Sequence, residues 1–250
     1  MELIYMKCIL VFLIILIAGC STYTQPADTS KFVAGIKNGN LVYIGEISNE
    51  SVSQLFEAYE SSSTKPTRLF ISSSGGDIEA GMLLGLWIRK YNLDVEVGHL
   101  CASSCANYVF PAGKTKFLHK DSILIWHGSA WQASWNDNML SSKDMKAAVS
   151  ILRTKETEFF SEINVDNLLC TYGHERISFW DQLLQIFGSS LIGFDYSLAD
   201  LQRFGINNIE LVDNEWDWRK YQPNRSAQIK RINVKSNIKF TLRRFQQPQI

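Results

Sequence analysis

Two serines lie between two cysteines in GHLCASSCANYVFPAG, residues 98–113, and this stretch contains the residue types of a nucleophilic site. A serine hydroxyl becomes a nucleophile when a base accepts its proton and hydrogen-bond donors stabilise the oxyanion. Ser104, followed by Cys105, fits the start of a helix, where backbone amides have no internal partner. The Gly75-Gly76 turn of the motif SSSGGD can bring another backbone amide close, because residues without a β-carbon allow close approach. The motif WHGS offers His127 as general base.

Each of these motifs follows a segment with the composition of a β-strand. The three predicted strands are Thr67–Ser72, Leu93–Val97 and Ser122–Trp126. Strands that alternate with helical segments favour a largely parallel sheet built from right-handed crossovers. Because active sites in such sheets gather at the carboxyl ends of the strands, we expect the three motifs to converge. The sequence therefore predicts an α/β fold that brings the serines, the glycines and the histidine together.

Further elements follow from turn signals and apolar spacing. Asn38-Gly39-Asn40 predicts a hairpin between two short strands. Helices are predicted over 49–59, in the second half of 131–163, over 177–187 and over 197–204, and a closing strand over 208–212.

Composition limits the classes of partner. The 250 residues are 46% hydrophobic, which is enough for a well-buried core, and 25 basic residues balance 25 acidic ones. This balance gives no reason to expect a nucleic acid as partner. Residues 219–244, however, contain nine basic and no acidic side chains, so this segment is a candidate for contact with anionic lipid or a protein partner.

The N-terminus has the pattern of an export signal, with Lys7 before the apolar run Cys8–Ile17. This run is too short to span a membrane comfortably. Ile17-Ala18-Gly19-Cys20 resembles the lipobox of bacterial lipoproteins, which implies acylation of Cys20 and a membrane-anchored protein facing the periplasm of a bacterial cell envelope. The alternative is a signal sequence with an incidental cysteine. The predicted organisation is a signal peptide (1–19), a tether (20–31), a folded domain (32–215) and a basic tail (216–250).

The remaining cysteines allow three interpretations. In an oxidising compartment Cys101 and Cys105 are expected to form a disulfide, because Cα atoms four residues apart near a helix start meet the distance requirement. Two free thiols are the second interpretation. Metal binding is the third and has little support, since His99 alone is a further ligand at matching spacing. Cys170 is then left without a partner.

The three motifs together resemble the core of the Clp protease proteolytic subunit, a family with the ClpP/crotonase fold of stacked β-β-α units. The matching stretches are FISSSGGDIEAG, GHLCASSCANYVFPAG and ILIWHGS. Counting back from Gly113, the resemblance places Ser104 on the nucleophile and His127 on the base. It also implies that Gly76 and Cys105 supply the oxyanion amides. The chain departs from the family pattern at Ser74, which replaces a proline, at Cys105, which replaces a methionine, and in a connection about two residues shorter.

The third member of the triad is open at this point. The resemblance favours Asp195, about two residues from the family position, and Asp181 is its rival; a Ser-His dyad is the third option. The resemblance further implies a peptide or protein substrate and no cofactor or metal, and it allows a homo-oligomer.

Three other functions compete with an exported serine peptidase. The first is a non-catalytic envelope lipoprotein that uses the same fold as a binding or scaffold module. The second is a crotonase-like acyl-CoA enzyme, which is disfavoured because an exported protein would lack acyl-CoA. The third is a serine/lysine peptidase with Lys114, Lys116 or Lys120 as base.

Overall fold

A mostly parallel β-sheet forms the centre of the computed structural model, which describes residues 32–135, 140, 142–177 and 191–240. The strands of this sheet are β1 (Val33–Lys37), β2 (Asn40–Ile44), β3 (Arg68–Ser73), β4 (Asp94–Ala102), β5 (Lys116–Leu118), β6 (Ile123–Ile125) and β8 (Ile209–Leu211). The strands β7 (Gly193–Asp195) and β9 (Ile229–Arg231) form a separate pair. The α-helices are α1 (Asn49–Ser61), α2 (Ile78–Lys90), α3 (Phe110–Ala112), α4 (Lys143–Ile163), α5 (Leu168–Thr171), α6 (Leu198–Arg203), α7 (Trp218–Tyr221) and α8 (Pro223–Ser226). A π-helical turn (Cys105–Val109) and two 3₁₀ turns (Ala133–Trp135 and His174–Arg176) complete the described elements.

The strand order of the sheet is β1-β2-β3-β4-β5-β8, with β6 also paired to β4. β1 and β2 are antiparallel around Asn38 and Gly39, and the other pairs of this sheet are parallel. The predicted α/β class with a largely parallel sheet is confirmed, and so is the predicted hairpin. The carboxyl ends of β3, β4 and β6 consequently lie at one edge, where active sites of such sheets are found.

Strand β4 carries two neighbours on the same side. Its first half pairs with β5 through Val95–Val97, and its second half pairs with β6 through Leu100–Ala102. The register against β3 shifts between Ile71 and Ser73, so that Ser73 lies opposite Cys101. A bulge of this kind bends the strand and redirects the residues that follow it. β4 therefore delivers its last residues to the ends of both β3 and β6.

Helix α2 packs tightly against the π-helical turn. It begins after Asp77, whose carboxylate accepts a hydrogen bond of 2.7 Å from the amide of Ala80. At Gly85, a β-carbon would lie 2.4 Å from the carbonyl oxygen of Tyr108, so the close approach depends on glycine. The buried residues of α2 and of the turn belong to the main hydrophobic core.

Several sequence-based predictions fall on residues that are not described. The signal peptide, the tether, Cys20 and most of the predicted helix 177–187 lie outside the described ranges. Trp218, which lies in the predicted basic tail, is only 1% exposed. Part of the basic segment thus packs against the rest of the described chain, while the boundary between domain and basic tail at 215/216 stays a prediction. Within the described ranges, no helix combines the length and apolarity needed to cross a membrane.

Candidate active site

Ser103 occupies a strained turn at the end of β4. Its φ is +54°, in the left-handed region that serine rarely adopts. Its backbone amide donates a hydrogen bond of 3.0 Å to the carbonyl of Ile125, at the end of β6. Strained backbone conformations persist where the surrounding structure fixes them, and they cluster at functional sites. The turn therefore holds Ser103 in a defined position between the two strands.

The side chain of Ser103 contacts the predicted general base. Oγ of Ser103 and Nε2 of His127 are 2.7 Å apart, within hydrogen-bonding range. Ser104, the serine predicted as nucleophile, is only 2% exposed, and its hydroxyl donates a hydrogen bond of 2.8 Å to the carbonyl of Gly76. The structure therefore places Ser103, and not the predicted Ser104, against His127, and the identity of the nucleophile stays a prediction.

The π-helical turn gives a physical reason why Ser103 and not Ser104 lies against His127. The amide of Phe110 donates to the carbonyl of Cys105, a pairing of residues five apart instead of the four of an α-helix. A π-turn contains one residue more than an α-helical turn. Counting back from Gly113 with ordinary helical spacing consequently ends one residue too late, at Ser104.

A disulfide encloses the serine turn. Cys101, in β4, and Cys105, in the π-helical turn, are joined with their Cα atoms 5.2 Å apart, and both are fully buried. The bridge therefore closes a short loop that contains Ser103. Cys170 is buried and is a free thiol.

The glycines of the SSSGGD motif approach this turn closely. Gly75 has a φ of +93°, and a β-carbon on it would lie 2.5 Å from Cβ of Ser103 and 2.9 Å from the amide nitrogen of Ser104. The carbonyl of Gly75 accepts a hydrogen bond of 2.7 Å from the amide of Ile47. Because carbonyl and N–H point in opposite directions across a trans peptide, the N–H of Gly76 points away from Ile47.

Two backbone amides are thus available near Ser103. Among the described residues, no hydrogen-bond acceptor is found for the N–H of Gly76. The amide that directly follows Ser103 is that of Ser104, in the first turn of a helix, where amides have no intrahelical partner. The predicted oxyanion donor Cys105 is one residue further along the chain, a consequence of the same shift in register.

The electrostatics of the site favour a neutral imidazole. Burial lowers the pKa of His127, although the residue as a whole is exposed to solvent. A neutral ring presents a lone pair that accepts the hydroxyl proton. Half-buried His174 lies close by, since a β-carbon on Gly128 would be 3.3 Å from its Cδ2. Burial and the neighbouring His127 lower the pKa of His174 as well. Sequence analysis did not identify His174, because it lies outside the three motifs.

Asp195, predicted as the acid of the triad, has a different role. It is fully buried, and both of its oxygens accept hydrogen bonds of 2.7–2.9 Å from the guanidinium groups of Arg219 and Arg231. The indole of Trp218 donates a further bond of 2.9 Å. The antiparallel bridge between Trp126 and Phe194 places Asp195 alongside β6 and not beside His127. The structure therefore does not bring Asp195 and His127 together, and its rival Asp181 lies outside the described residues, so the acid of the triad stays a prediction.

A lysine base is also disfavoured. Lys116 is buried, and its ammonium group donates to the carbonyls of Gly113, at 2.7 Å, and Asn207, at 3.0 Å. Burial lowers its pKa to about 8, but its hydrogen bonds go to the end of α3 and to the residues before β8, away from Ser103. In the described part of the chain, no cluster of three or more His, Cys, Asp or Glu side chains that could hold a metal ion is found.

Glu156 is a buried acid that sequence analysis missed. It is 0% exposed, accepts a hydrogen bond from the hydroxyl of Tyr108 and accepts another of 3.3 Å from the amide of Ala130. Burial raises its pKa. A sequence signal existed, because Glu156 lies on the apolar stripe of α4 between Leu152 and Phe159 at helical spacing. Glu156 anchors the segment that follows His127.

No family model matches the chain, and no curated protein sequence matches it. Among solved structures, ClpP1 from Listeria monocytogenes is similar with 19% sequence identity and a TM-score of 0.42, covering 71% of this chain and 92% of that one. A point mutant of ClpP1 from the same organism is similar with 19% identity and a TM-score of 0.40, covering 69% of this chain and 90% of that one.

Proposed function

We propose that this chain is a serine hydrolase that cleaves peptide bonds through an acyl-enzyme formed on Ser103. The observation that carries the proposal is the distance of 2.7 Å between Oγ of Ser103 and Nε2 of His127. A nucleophile and a base within hydrogen-bond reach are the signature of covalent catalysis. The left-handed backbone of Ser103 supports the same proposal, because strained backbone conformations cluster at active sites.

The proposed reaction moves one proton back and forth. Oγ of Ser103 attacks the substrate carbonyl while Nε2 of His127 accepts the hydroxyl proton. The imidazolium then gives this proton to the leaving amine, which leaves an ester on Ser103. A water molecule, deprotonated by His127, hydrolyses the ester and restores the serine hydroxyl. The lowered pKa of His127 keeps the ring neutral, and ready to act as base, at neutral pH.

The oxyanion of this reaction would be stabilised by the amides of Gly76 and Ser104. Donors of this type typically contribute about 2.7–4 kcal/mol each to transition-state stabilisation. The hydroxyl of Ser104 supports the arrangement indirectly, because its bond of 2.8 Å to the carbonyl of Gly76 fixes the glycine loop against the serine turn. Ser104 thus has a positioning role in place of the nucleophilic role that its sequence position suggested.

The proposed substrate class and cellular compartment are inferred from the sequence. Peptide as the acyl donor follows from the resemblance to the Clp protease proteolytic subunit. Export and acylation of Cys20 follow from the lipobox-like segment 17–20. The disulfide between Cys101 and Cys105 is compatible with both, because disulfides persist in oxidising compartments such as the periplasm.

A fluorophosphonate probe tests the proposal, since such probes react covalently with activated serines. Wild-type protein should be labelled, Ser103→Ala should not, and His127→Ala should be labelled at least about a hundredfold more slowly, the lower range of general-base catalysis. The matched control is Ser104→Ala, which removes the adjacent hydroxyl and should retain labelling at a reduced rate. Labelling that persists in Ser103→Ala and is lost in Ser104→Ala would refute the assignment.

One observation favours a non-catalytic scaffold as the second candidate. Within the described ranges, no carboxylate contacts His127, and Asp195 is held by two arginines. The absence of labelling of wild-type protein by several probe types would support this alternative. If the probe labels wild-type protein and the Ser103→Ala variant is not labelled, the scaffold alternative is excluded.

A further inference from the structure

Two hydrogen bonds connect the end of β6 to the π-helical turn on either side of His127. The indole N–H of Trp126 donates a bond of 3.2 Å to the carbonyl of Ala106. In the opposite direction, Nδ2 of Asn107 donates a bond of 3.0 Å to the carbonyl of Gly128. Trp126 is fully buried and Asn107 is 4% exposed, so water competes little for either bond.

Asn107 also contacts the serine turn directly. Its backbone amide donates a hydrogen bond of 2.8 Å to the carbonyl of Ser103. The same residue therefore holds the residue that carries the hydroxyl and, through Gly128, the residue next to the imidazole. Of the two bonds that flank His127, only the one from Asn107 links both halves of the Ser103–His127 pair.

The orientation of the His127 ring is the property that such a contact can control. In a triad, a carboxylate orients the imidazole. Here Asp195 is saturated by other donors, and none of the described acidic side chains contacts His127. Because small errors in the position of a base lower the rate steeply, the contacts that fix the end of β6 bear directly on the rate.

The other end of the Asn107 side chain indicates why asparagine occupies this place. Its Oδ1 is buried and has no hydrogen-bond partner among the described residues. An unsatisfied buried acceptor destabilises the folded state. Leucine has a similar shape and would remove this penalty, which offsets the cost of leaving the carbonyl of Gly128 without its donor. The donor is consequently better explained by the position of Gly128 than by a gain in stability.

We propose that Asn107 is a positioning residue that holds Nε2 of His127 against the hydroxyl of Ser103. It acts through the carbonyls of Gly128 and Ser103 and touches no reacting atom. The functional consequence rests on the proposed hydrolase activity. The geometric part, that Asn107 orients the imidazole, does not depend on that activity.

The test is Asn107→Leu in the full-length chain. The second-order rate of fluorophosphonate labelling should fall at least about tenfold, while the thermal unfolding midpoint should change by less than about 4 °C. Asn207→Leu is the matched control, because it removes an exposed asparagine bond of 3.1 Å to the carbonyl of Gly205, outside the site. It should label at the wild-type rate.

A second readout keeps the two proposals distinguishable. The ¹⁵N resonances of the His127 ring report its hydrogen bond to Ser103 in protein that has not reacted with the fluorophosphonate probe. Asn107→Leu should shift these resonances, whereas Asn207→Leu should not. If wild-type protein is not labelled, the hydrolase proposal fails and these resonances alone decide the role of Asn107. Unchanged resonances, a wild-type labelling rate in Asn107→Leu, or a rate loss that merely accompanies a large drop in the unfolding midpoint would each overturn the inference.

Discussion

Gly75→Ala should damage both the stability and the reactivity of the serine turn. The new β-carbon would lie 2.5 Å from Cβ of Ser103 and 2.6 Å from the carbonyl oxygen of Ala102, and neither atom belongs to a flexible side-chain end. A positive φ costs an alanine about 1–2 kcal/mol, and overpacking costs about 1–3 kcal/mol more. The free energy of unfolding should therefore decrease by about 2–5 kcal/mol. Urea denaturation measures this loss, and fluorophosphonate labelling measures the displacement of Ser103.

Gly39→Ala is the matched control for this experiment. Gly39 also has a positive φ, of +78°, but a β-carbon on it would meet no atom within 4 Å. This variant should lose the backbone term alone, about 1–2 kcal/mol, and should label like wild type. If the two variants lose equal stability and label equally fast, Gly75 does not pack against Ser103 as described, and the argument for the close approach fails.

Three further outcomes are expected. Replacing Cys101 and Cys105 together by serine should lower the free energy of unfolding by about 2 kcal/mol, the chain-entropy value for a loop of roughly five residues, and should slow labelling; denaturation and labelling of the double variant check both. Burial lowers the pKa of His127, so its ring stays neutral below the ordinary histidine pKa of about 6.5. When the labelling rate is measured against pH, its decrease on the acid side should therefore have a midpoint below that pH. A midpoint at or above the ordinary pKa would contradict the buried environment of His127. Asp195→Asn should destabilise the fold by about 3–5 kcal/mol, because two arginines lose their buried counter-ion. The pH midpoint of labelling should stay unchanged in this variant. A shifted midpoint with unchanged stability would instead indicate that Asp195 is the acid of the triad.

The sequence predicted the arrangement of the main strands well. Strand–helix alternation and the small-residue motifs placed Gly75, His127 and the serines at one edge of a parallel sheet, and the structure has them there. This part was predictable because the carboxyl ends of parallel strands meet wherever crossovers alternate regularly. Local pattern and topology suffice for such a conclusion.

The individual side chains were less predictable. The choice between Ser103 and Ser104 depended on one inserted residue in a π-helical turn, which an apolar pattern does not reveal. Asp195 lies about two residues from the place in the chain expected of a catalytic acid, but its partners Arg219 and Arg231 come from a segment that composition alone marked as a basic tail. Contacts between segments distant in sequence decide such roles, and spacing carries no information about them.

The pairing of Asp195 with Arg219 and Arg231 limits how the C-terminal part of the chain can be investigated by truncation. A shortened protein that ends before Arg231 would leave a fully buried anion with part of its charge compensation removed. Its loss of lipid or partner binding would then report misfolding and say nothing about basic residues at the surface. Charge-reversing substitutions at Arg225 or Lys235, which lie outside this ion cluster, separate surface electrostatics from architecture in a chain of full length.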